Sequence, residues 1–240
     1  MFLEKDHTLV VCFDLDDTLM DHASAIIGGA RQFYADHRHV FDLPESDFVA
    51  RWVQRIEAAY QRYLHEGLSL EDARRWRVQS LFAEAGAALS DAAADTAVAQ
   101  AIAAYRDHWR LFDDVRPCLE ALQGRFPLAV ITNGSADQQS QKLLQLGIRS
   151  VFEAVIVSET AGSAKPAPDI FRHAARQLGT TPARCLHVGD RWDIDVTGAR
   201  SAGFRAVWLN RSGQPRTPAA SDVAELTSLT TLPQLVEAQA

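Results

Sequence analysis

Apolar and polar positions follow different patterns in different parts of the chain. An apolar run at residues 8–13 is typical of a buried strand, and from residue 112 onward such runs alternate with helix-periodic segments. Repeated strand–helix units predict a parallel sheet with helices on both faces. The segment between them is helix-periodic throughout. The sequence therefore predicts an α/β doubly wound core, residues 1–18 with 112–240, interrupted by an all-α insertion, residues 19–111.

Helix starts and stops refine this division. Ser or Asp stands at several predicted helix starts, and Gly67 and Gly86 stand at two helix ends. The predicted helices are 24–37, 47–66, 69–85 and 90–109 in the insertion, and 117–124, 136–146, 168–178 and 194–202 in the core. The later strands are predicted at 128–131, 153–157, 185–188 and 205–209, followed by a surface loop at 211–220 and a short element at 225–236. We expect Trp52, Trp76 and Phe82 to pack in the core of the inserted bundle.

Composition and charge exclude several classes of protein. No stretch approaches the roughly 18 apolar residues of a membrane helix, and the first residues lack a signal-peptide pattern, so we expect a cytoplasmic protein. Cys12, Cys118 and Cys185 are widely spaced and odd in number, which indicates core residues rather than disulfides. The net charge of −7 without a basic run argues against a nucleic acid polymer as partner. A small phosphorylated metabolite needs only a local cationic pocket, and we expect a monomer or homodimer acting on one.

Two acids stand where the first apolar run stops. Asp14 and Asp16 in the sequence Phe13-Asp14-Leu15-Asp16-Asp17-Thr18 would lie at the carboxyl edge of the sheet, where open α/β folds bind ligands. Such paired carboxylates need a metal ion or a lysine to remain ionised together. An alternative is that Asp17 or Thr18 simply caps the following turn.

Three later segments favour chemistry at this edge. The second strand runs into Thr132-Asn133-Gly134, a hydroxyl followed by a loop whose backbone N–H groups can face an anion. The fourth strand runs into Asp190, with Asp193 and Asp195 close behind. Between them, Lys165 directly precedes a helix that starts with proline.

This ordered set resembles the four motifs of the haloacid dehalogenase superfamily of phosphotransferases. The resemblance includes the stretches ITNG, KPAPDIF and VGDRWDIDVTGA and spans residues 8–210. It implies a Rossmann-like core with strand order 5-4-1-2-3 and a helical cap domain inserted after the first motif. Among its branches, those acting on nucleoside monophosphates, flavin mononucleotide or acylneuraminate phosphate look most similar.

The resemblance also implies a role for each motif residue. Asp14 would be the nucleophile that forms an aspartyl phosphate, and Asp16 the general acid and then the general base. Thr132, Asn133 and Lys165 would bind the phosphate. Mg²⁺ would be held by Asp14, the Asp16 backbone carbonyl and Asp190, with Asp195 orienting Lys165 or bound water from behind.

Other residues carry less specific expectations. Asp193 is either a metal neighbour or a solvated loop acid, and His187 is predicted to be a satisfied core histidine. In a helical cap that contributes substrate contacts, the candidates are Asp21, His22, Arg74, Arg75, Trp76 and Arg77, although the arginines can equally form a solvated helix face.

Three functions remain open at this stage. The first is a Mg²⁺-dependent phosphatase of a small metabolite. The second is a haloacid dehalogenase on the same fold, in which the second acid of the first motif is replaced, whereas this chain keeps Asp16. The third is a phospho-accepting signalling module, which has no helical insertion.

Overall fold

Six parallel strands form one sheet in the computed structural model, which describes residues 9–215 and 222–239. The strands lie in the order β3-β2-β1-β4-β5-β6, so the expected arrangement of five is confirmed and a sixth is added at one edge. The strands are β1 (Val10–Phe13), β2 (Leu128–Thr132), β3 (Ala154–Val157), β4 (Cys185–Gly189), β5 (Arg205–Leu209) and β6 (Ala224–Leu226).

Strand register aligns the ends that carry polar residues. Phe13 of β1 pairs with Val130 of β2 on one side and with Val188 of β4 on the other. β1, β2 and β4 are buried along their whole length, as expected of central strands of a parallel sheet. The Asp14 N–H donates to the Val188 carbonyl at 2.9 Å, which keeps the backbone on the sheet one residue beyond β1. The chain segments that follow these three strands therefore emerge at one edge.

Helices connect the strands largely where the sequence predicts them. These are α5 (Val115–Leu122), α6 (Ala136–Gln145), α7 (Ser158–Ala161), α8 (Pro168–Gln177), α9 (Thr197–Ser201) and α10 (Leu232–Glu237). Helices α1–α4 belong to the insertion. One expectation is corrected: the helix predicted at 194–202 is a π-helical turn at Trp192–Val196 followed by α9. The short helix α7 was not predicted.

The C-terminal segment contains the strand that the sequence pattern misses. β6 is three residues long and half-buried, so it carries no clear apolar run. Asp114, just before α5, holds this segment: it is 2.8 Å from Arg211 and accepts hydrogen bonds from Ser228 Oγ and the Leu229 N–H. Of the predicted loop at 211–220, residues 216–220 lie outside the described part of the chain.

The insertion forms four helices around an aromatic core. They are α1 (His22–Asp36), α2 (Glu45–His65), α3 (Leu70–Glu84) and α4 (Asp91–Arg106). Trp52 and Phe82 are buried in this core as predicted, but Trp76 is only half-buried, with the Arg62 guanidinium 4.6 Å from its ring centroid. Trp76 therefore does not belong to the bundle core.

The chain divides into two compact units. The sheet unit comprises the described residues up to Asp21 and from Leu111 onward, and the helical unit comprises His22–Arg110. None of the helices in the described ranges is both long and apolar enough to cross a membrane.

Candidate active site

The turn after β1 gives Asp14 and Asp16 different partners. Asp17 lies at φ 58°, in the left-handed region that few residues other than glycine adopt, and the chain turns there. The Asp14 carboxylate is 2.6 Å from Lys165 Nζ, whereas the Asp16 carboxylate is 2.6 Å from Lys142 Nζ. Two acids that are two residues apart in sequence thus occupy separate electrostatic environments.

Lys165 joins two carboxylates inside the sheet unit. Its Nζ lies 2.6 Å from Asp14 Oδ1 and 2.6 Å from Asp195 Oδ1, and all three side chains are at most 9% exposed. Burial by itself would lower the pKa of Lys165, but the two carboxylates outweigh that effect and raise the pKa above its ordinary value. The lysine is therefore a fixed positive charge beside Asp14.

Asn133 fixes the backbone that carries this lysine. Its Oδ1 accepts a hydrogen bond from the Lys165 N–H at 2.8 Å, and its Nδ2 donates to the Lys165 carbonyl at 2.9 Å. The Asn133 side chain thus holds Lys165, which leaves the backbone N–H of Asn133 for the predicted phosphate contact.

Asp195 is held from three directions. Besides Lys165, its carboxylate contacts His187 Nε2 at 3.1 Å and accepts a hydrogen bond from the Arg191 N–H at 3.1 Å. Burial opposes ionisation, yet Lys165 and His187 hold the pKa of Asp195 below its ordinary value. The close packing of Asp195 against the end of β4 requires glycine at position 189, because a Cβ on Gly189 would lie 2.3 Å from Asp195 Cγ.

His187 is a core histidine, as predicted, but only one of its ring nitrogens has a hydrogen-bond partner among the described residues, and that partner is Asp195. The π-helical turn returns Asp195 to β4, so one ring nitrogen of His187 binds a site carboxylate. The other, Nδ1, is buried without a hydrogen-bond partner among the described residues. Burial, the largest effect, lowers the pKa of His187, which favours the neutral ring at neutral pH.

The remaining acids of the cluster resist ionisation. Burial, followed by the charges of nearby acids, raises the pKa of Asp190 to about 9. Burial also raises the pKa of Asp14, to about 7, with Lys165 opposing and Asp195 and Asp16 adding to the increase. Carboxylates that are this difficult to ionise beside one another favour the binding of a further cation.

The donor set fits a divalent metal ion. Asp14, Asp190 and Asp195 each offer a carboxylate oxygen, and these oxygens lie within 4.8 Å of one another. Carboxylate oxygens are the donors that hard divalent cations prefer. Asp193, by contrast, is exposed and 3.2 Å from Arg191, outside this cluster. Of the two alternatives for Asp193, the structure therefore favours the solvated loop acid.

Two side chains of helix α6 contact Asp16, and one of them also contacts Thr132. Lys142 Nζ is 2.6 and 2.8 Å from the two Asp16 oxygens, and Gln139 Nε2 is 3.1 Å from one of them. The same Gln139 nitrogen donates to Thr132 Oγ1 at 2.7 Å. Gln139 thereby links the two predicted site residues, and the sequence analysis selected neither Gln139 nor Lys142.

The comparison of the sequence with family models decides the assignment. The haloacid dehalogenase-like hydrolase family matches residues 8–203. The chain belongs to this family. The prediction that it is an enzyme of this superfamily, a hydrolase, is confirmed, as is the fold class.

Three similar proteins illustrate the range of this hydrolase family. The phosphoserine phosphatase of Thermus thermophilus is 32% identical over 88% of this chain and 92% of its own. The N-acylneuraminate-9-phosphatase of Mus musculus, from one of the predicted branches, is 28% identical over 95% of this chain and 93% of its own. The solved 2-haloacid dehalogenase from Pseudomonas syringae pv. Tomato DC3000 is 28% identical with a TM-score of 0.71, covering 98% of this chain and all (100%) of its own.

Two further residues of this hydrolase that sequence reasoning missed support the loop after β2. Ser158 Oγ accepts a hydrogen bond from the Gly134 N–H at 3.0 Å, and Glu159 Oε2 accepts one from the Ala136 N–H at 2.9 Å, at the start of α6. No local pattern marks them, because both act on a segment more than 20 residues away. Lys142 did leave a signal: at helical spacing from Gln139 and next to Leu143, it is a lysine on the buried face of α6.

The candidates in the helical unit separate into different environments. Arg75 is 2.8 Å from Asp95 and 2.9 Å from Asp72, so it belongs to an ion-pair network of that unit. Arg77 has its guanidinium 4.8 Å from the centroid of the Trp52 ring, and its buried Nε has no hydrogen-bond partner among the described residues. Burial and the charge of Arg74 lower the pKa of Arg77 to about 10.

Two other candidates, Asp21 and His22, are the residues between which the sequence passes from the sheet unit to the helical unit. His22 Nδ1 lies 2.6 Å from the hydroxyl of Tyr105 in the helical unit. Asp21 belongs to the sheet unit.

Proposed function

We propose that this hydrolase is a Mg²⁺-dependent phosphatase of a small phosphorylated metabolite, working through an aspartyl phosphate. The observation that carries the proposal is the pair of acids at the end of β1: Asp14 is buried against Lys165 beside Asp190, and Asp16, two residues on, is held separately. A phosphatase of this type needs one carboxylate to attack and another to move a proton, and carboxylates in different environments suit such different roles.

Asp14 is the proposed nucleophile. Lys165 holds Oδ1, and the second oxygen of Asp14 would attack phosphorus. A bond forms between Asp14 and phosphorus, the bond from phosphorus to the substrate oxygen breaks, and Asp16 gives its proton to that oxygen. In the second step, Asp16 takes a proton from water as the water oxygen attacks phosphorus, and Asp14 and inorganic phosphate are released.

Thr132, Asn133 and Lys165 are the proposed phosphate contacts. A phosphoryl group in transfer carries charge on its outer oxygens, and donors fixed before the reaction stabilise that charge most effectively. Asn133 and Gln139 fix these groups: the first binds the Lys165 backbone and the second binds the Thr132 hydroxyl.

Asp14, Asp190 and the backbone carbonyl of Asp16 are the proposed Mg²⁺ ligands, with Asp195 orienting Lys165. When bound, the ion would neutralise the charge shared by the carboxylates and the phosphate. The raised pKa values of Asp14 and Asp190 support this assignment, because a cation would allow both acids to ionise.

We also propose that the sheet unit is the catalytic core domain, 1–18 with 112–240, and the helical unit a cap domain, 19–111. The two compact units support this division, with boundaries shifted to Asp21 and Leu111. The substrate class we propose is a nucleoside monophosphate, flavin mononucleotide or a sugar phosphate.

A screen of phosphorylated metabolites against the full chain with Mg²⁺ tests the function. We expect inorganic phosphate release from at least one compound, and none from the same compound with the Asp14→Asn variant. The screen includes 2-chloropropionate with chloride detection. Chloride release without phosphate release would assign the chain to the dehalogenases instead. A stable aspartyl phosphate with a half-life of minutes or more would indicate a signalling module.

A further inference from the structure

The carboxylate of Asp16 is enclosed by donors from one helix. Lys142 Nζ contacts both of its oxygens, at 2.6 and 2.8 Å, and Gln139 Nε2 contacts Oδ2 at 3.1 Å. The Lys142 side chain is 2% exposed and that of Asp16 is 24% exposed. The Asp16 side chain is therefore partly accessible to solvent, whereas the lysine is buried.

The lysine occupies a position where an apolar residue would be expected. Lys142 and Gln139 are three residues apart on α6, on the face that also buries Leu143. Burying an ammonium is costly unless a charge partner compensates for the lost water. Here the partner is Asp16, which lies 126 residues away in sequence, so the pair is specified only by the fold.

Each of the two acids after β1, Asp14 and Asp16, is paired with a buried lysine. The sequence contains three lysines, at positions 5, 142 and 165, and the two in the described part of the chain each bind one of these acids. Lys165 is one of the residues on which the resemblance to the family rests, whereas Lys142 is not. A second buried lysine on the second acid indicates that Asp16, too, is held in a defined orientation.

We propose that Lys142 and Gln139 are positioning residues for Asp16, an inference that rests on the phosphatase function proposed above. They hold the carboxyl group in one orientation, and Gln139 ties it to Thr132, a proposed phosphate contact. When Asp16 gives its proton to the leaving oxygen, the negative charge that forms on its carboxylate is stabilised by the Lys142 ammonium, which is already in contact with it. Lys142 acts through Asp16, without touching the substrate.

Charge that forms beside fixed, buried donors requires little reorganisation, which is a large source of catalytic rate. General acid catalysis contributes about 100- to 10,000-fold, and it matters for leaving groups that need a proton. Loss of the positioning residues should therefore slow esters of ordinary alcohols and spare esters of acidic phenols.

A double-mutant cycle with two substrates tests the proposal. The substrates are glycerol 2-phosphate, which needs a proton on its leaving oxygen, and 4-nitrophenyl phosphate, which does not. We expect Lys142→Met to lower kcat for the first by about 10- to 100-fold and for the second by less than about fivefold. In the Asp16→Asn background, adding Lys142→Met should lower kcat by less than about twofold, because the residue acts only through Asp16.

Gln141→Met is the matched control, since Gln141 lies on the same helix and binds the exposed Asp137 instead. It should change neither rate. Gln139→Met provides a second cycle with Asp16→Asn, which carries the test if Lys142→Met does not fold, as judged by circular dichroism and thermal unfolding.

Two outcomes would overturn the inference separately from the function. Equal losses on both substrates, or losses that multiply fully in the Asp16→Asn background, would show that Lys142 serves stability rather than Asp16. Wild-type protein that releases phosphate from no ester would overturn the proposed function and this inference together. Wild-type turnover with fully multiplying losses would overturn the inference alone.

Discussion

The two compact units of the chain bury different kinds of side chain. In the sheet unit, Asp14, Lys142, Lys165 and Asp195 are buried, and they are all the buried charged side chains within the described residues apart from the titratable His187. In the helical unit, the core is formed by aromatic and aliphatic side chains, and an ion pair such as Arg75–Asp95 keeps its carboxylate 46% exposed. Buried charge is costly unless it is paired, and here it is concentrated at the strand ends.

This difference indicates that the candidate chemistry lies in the sheet unit. The sheet unit holds groups whose protonation and orientation matter, whereas the helical unit is stabilised as an ordinary helical bundle. Substitutions should therefore affect different properties. At the strand ends they should lower activity and leave stability unchanged, whereas in the bundle core they should lower stability and leave the rate of the chemical reaction unchanged. The predictions below test that separation, beginning with the largest expected effect.

Replacement of Asp14 with Asn should abolish turnover while leaving the fold intact. The loss should be about 1000-fold or more, as expected for a nucleophile, because the amide cannot attack phosphorus. Phosphate release and circular dichroism measure the two properties. Asp193→Asn is the matched control, since Asp193 is an exposed acid of the same edge and should retain near-normal activity. Substantial activity in Asp14→Asn would contradict the assignment of the nucleophile.

Removal of divalent metal with EDTA should lower turnover about 100-fold or more, and Mg²⁺ should restore it. A stability measurement adds an independent readout. The pKa values of Asp14 and Asp190 are raised from 3.8 to about 7 and about 9, so the metal-free folded protein holds protons more tightly than the unfolded chain. Its unfolding free energy should fall as pH rises through that range.

Mg²⁺ should therefore raise the thermal unfolding temperature more at pH 8 than at pH 5, since at pH 5 the ion must displace protons from both Asp14 and Asp190, whereas at pH 8 Asp14 has already lost its proton. Equal stabilisation at both values, or full activity in metal-free buffer, would argue against a metal held by these acids.

Replacement of Trp52 with Ala should destabilise the helical unit without altering the chemistry. Trp52 is 4% exposed and its ring centroid is 4.8 Å from that of Phe33, so truncation should cost about 3–5 kcal/mol of unfolding free energy. Urea unfolding measures the loss. Val53→Ala, at the neighbouring exposed position, is the control and should change stability by less than about 0.5 kcal/mol. The rate for 4-nitrophenyl phosphate per folded molecule should stay unchanged.

Arg77→Met should have the smallest effect and only on substrate preference. If the helical unit selects the substrate, loss of a guanidinium with no hydrogen-bond partner on Nε should change the ratio of kcat/KM values between two natural substrates by about tenfold. Arg75→Met is the matched control, because Arg75 is engaged with Asp95 and Asp72. An unchanged ratio in Arg77→Met, with normal folding, would assign selection to other residues.

Much of the fold and of the candidate site follows from local patterns. Apolar runs ending in Asp14, Thr132 and Asp190 identify central strands and the edge where their polar residues gather. The helical insertion follows from its periodicity alone. The strand β6 was not predicted, because its three half-buried residues form no apolar run or alternation long enough to indicate a strand.

Residue pairing could not be predicted in the same way. The contacts of Lys142 with Asp16, of His187 with Asp195 and of Ser158 with Gly134 join residues between 8 and 126 positions apart. The sequence shows only that Lys142 is a charged residue on an apolar helix face. Its partner depends on which strand the helix follows and where that helix packs.

The sequence by itself determined the two periodicities, the identity of the strand-end acids and the presence of Asp16, because these depend on neighbouring residues and on side-chain type. Only the tertiary structure decided that Asp193 lies outside the acid cluster and that Asp16 faces Lys142. It also decided that His187 binds a site carboxylate. The physical reason is that an ion pair or hydrogen bond requires atoms within about 3 Å, a condition that depends on how distant segments pack.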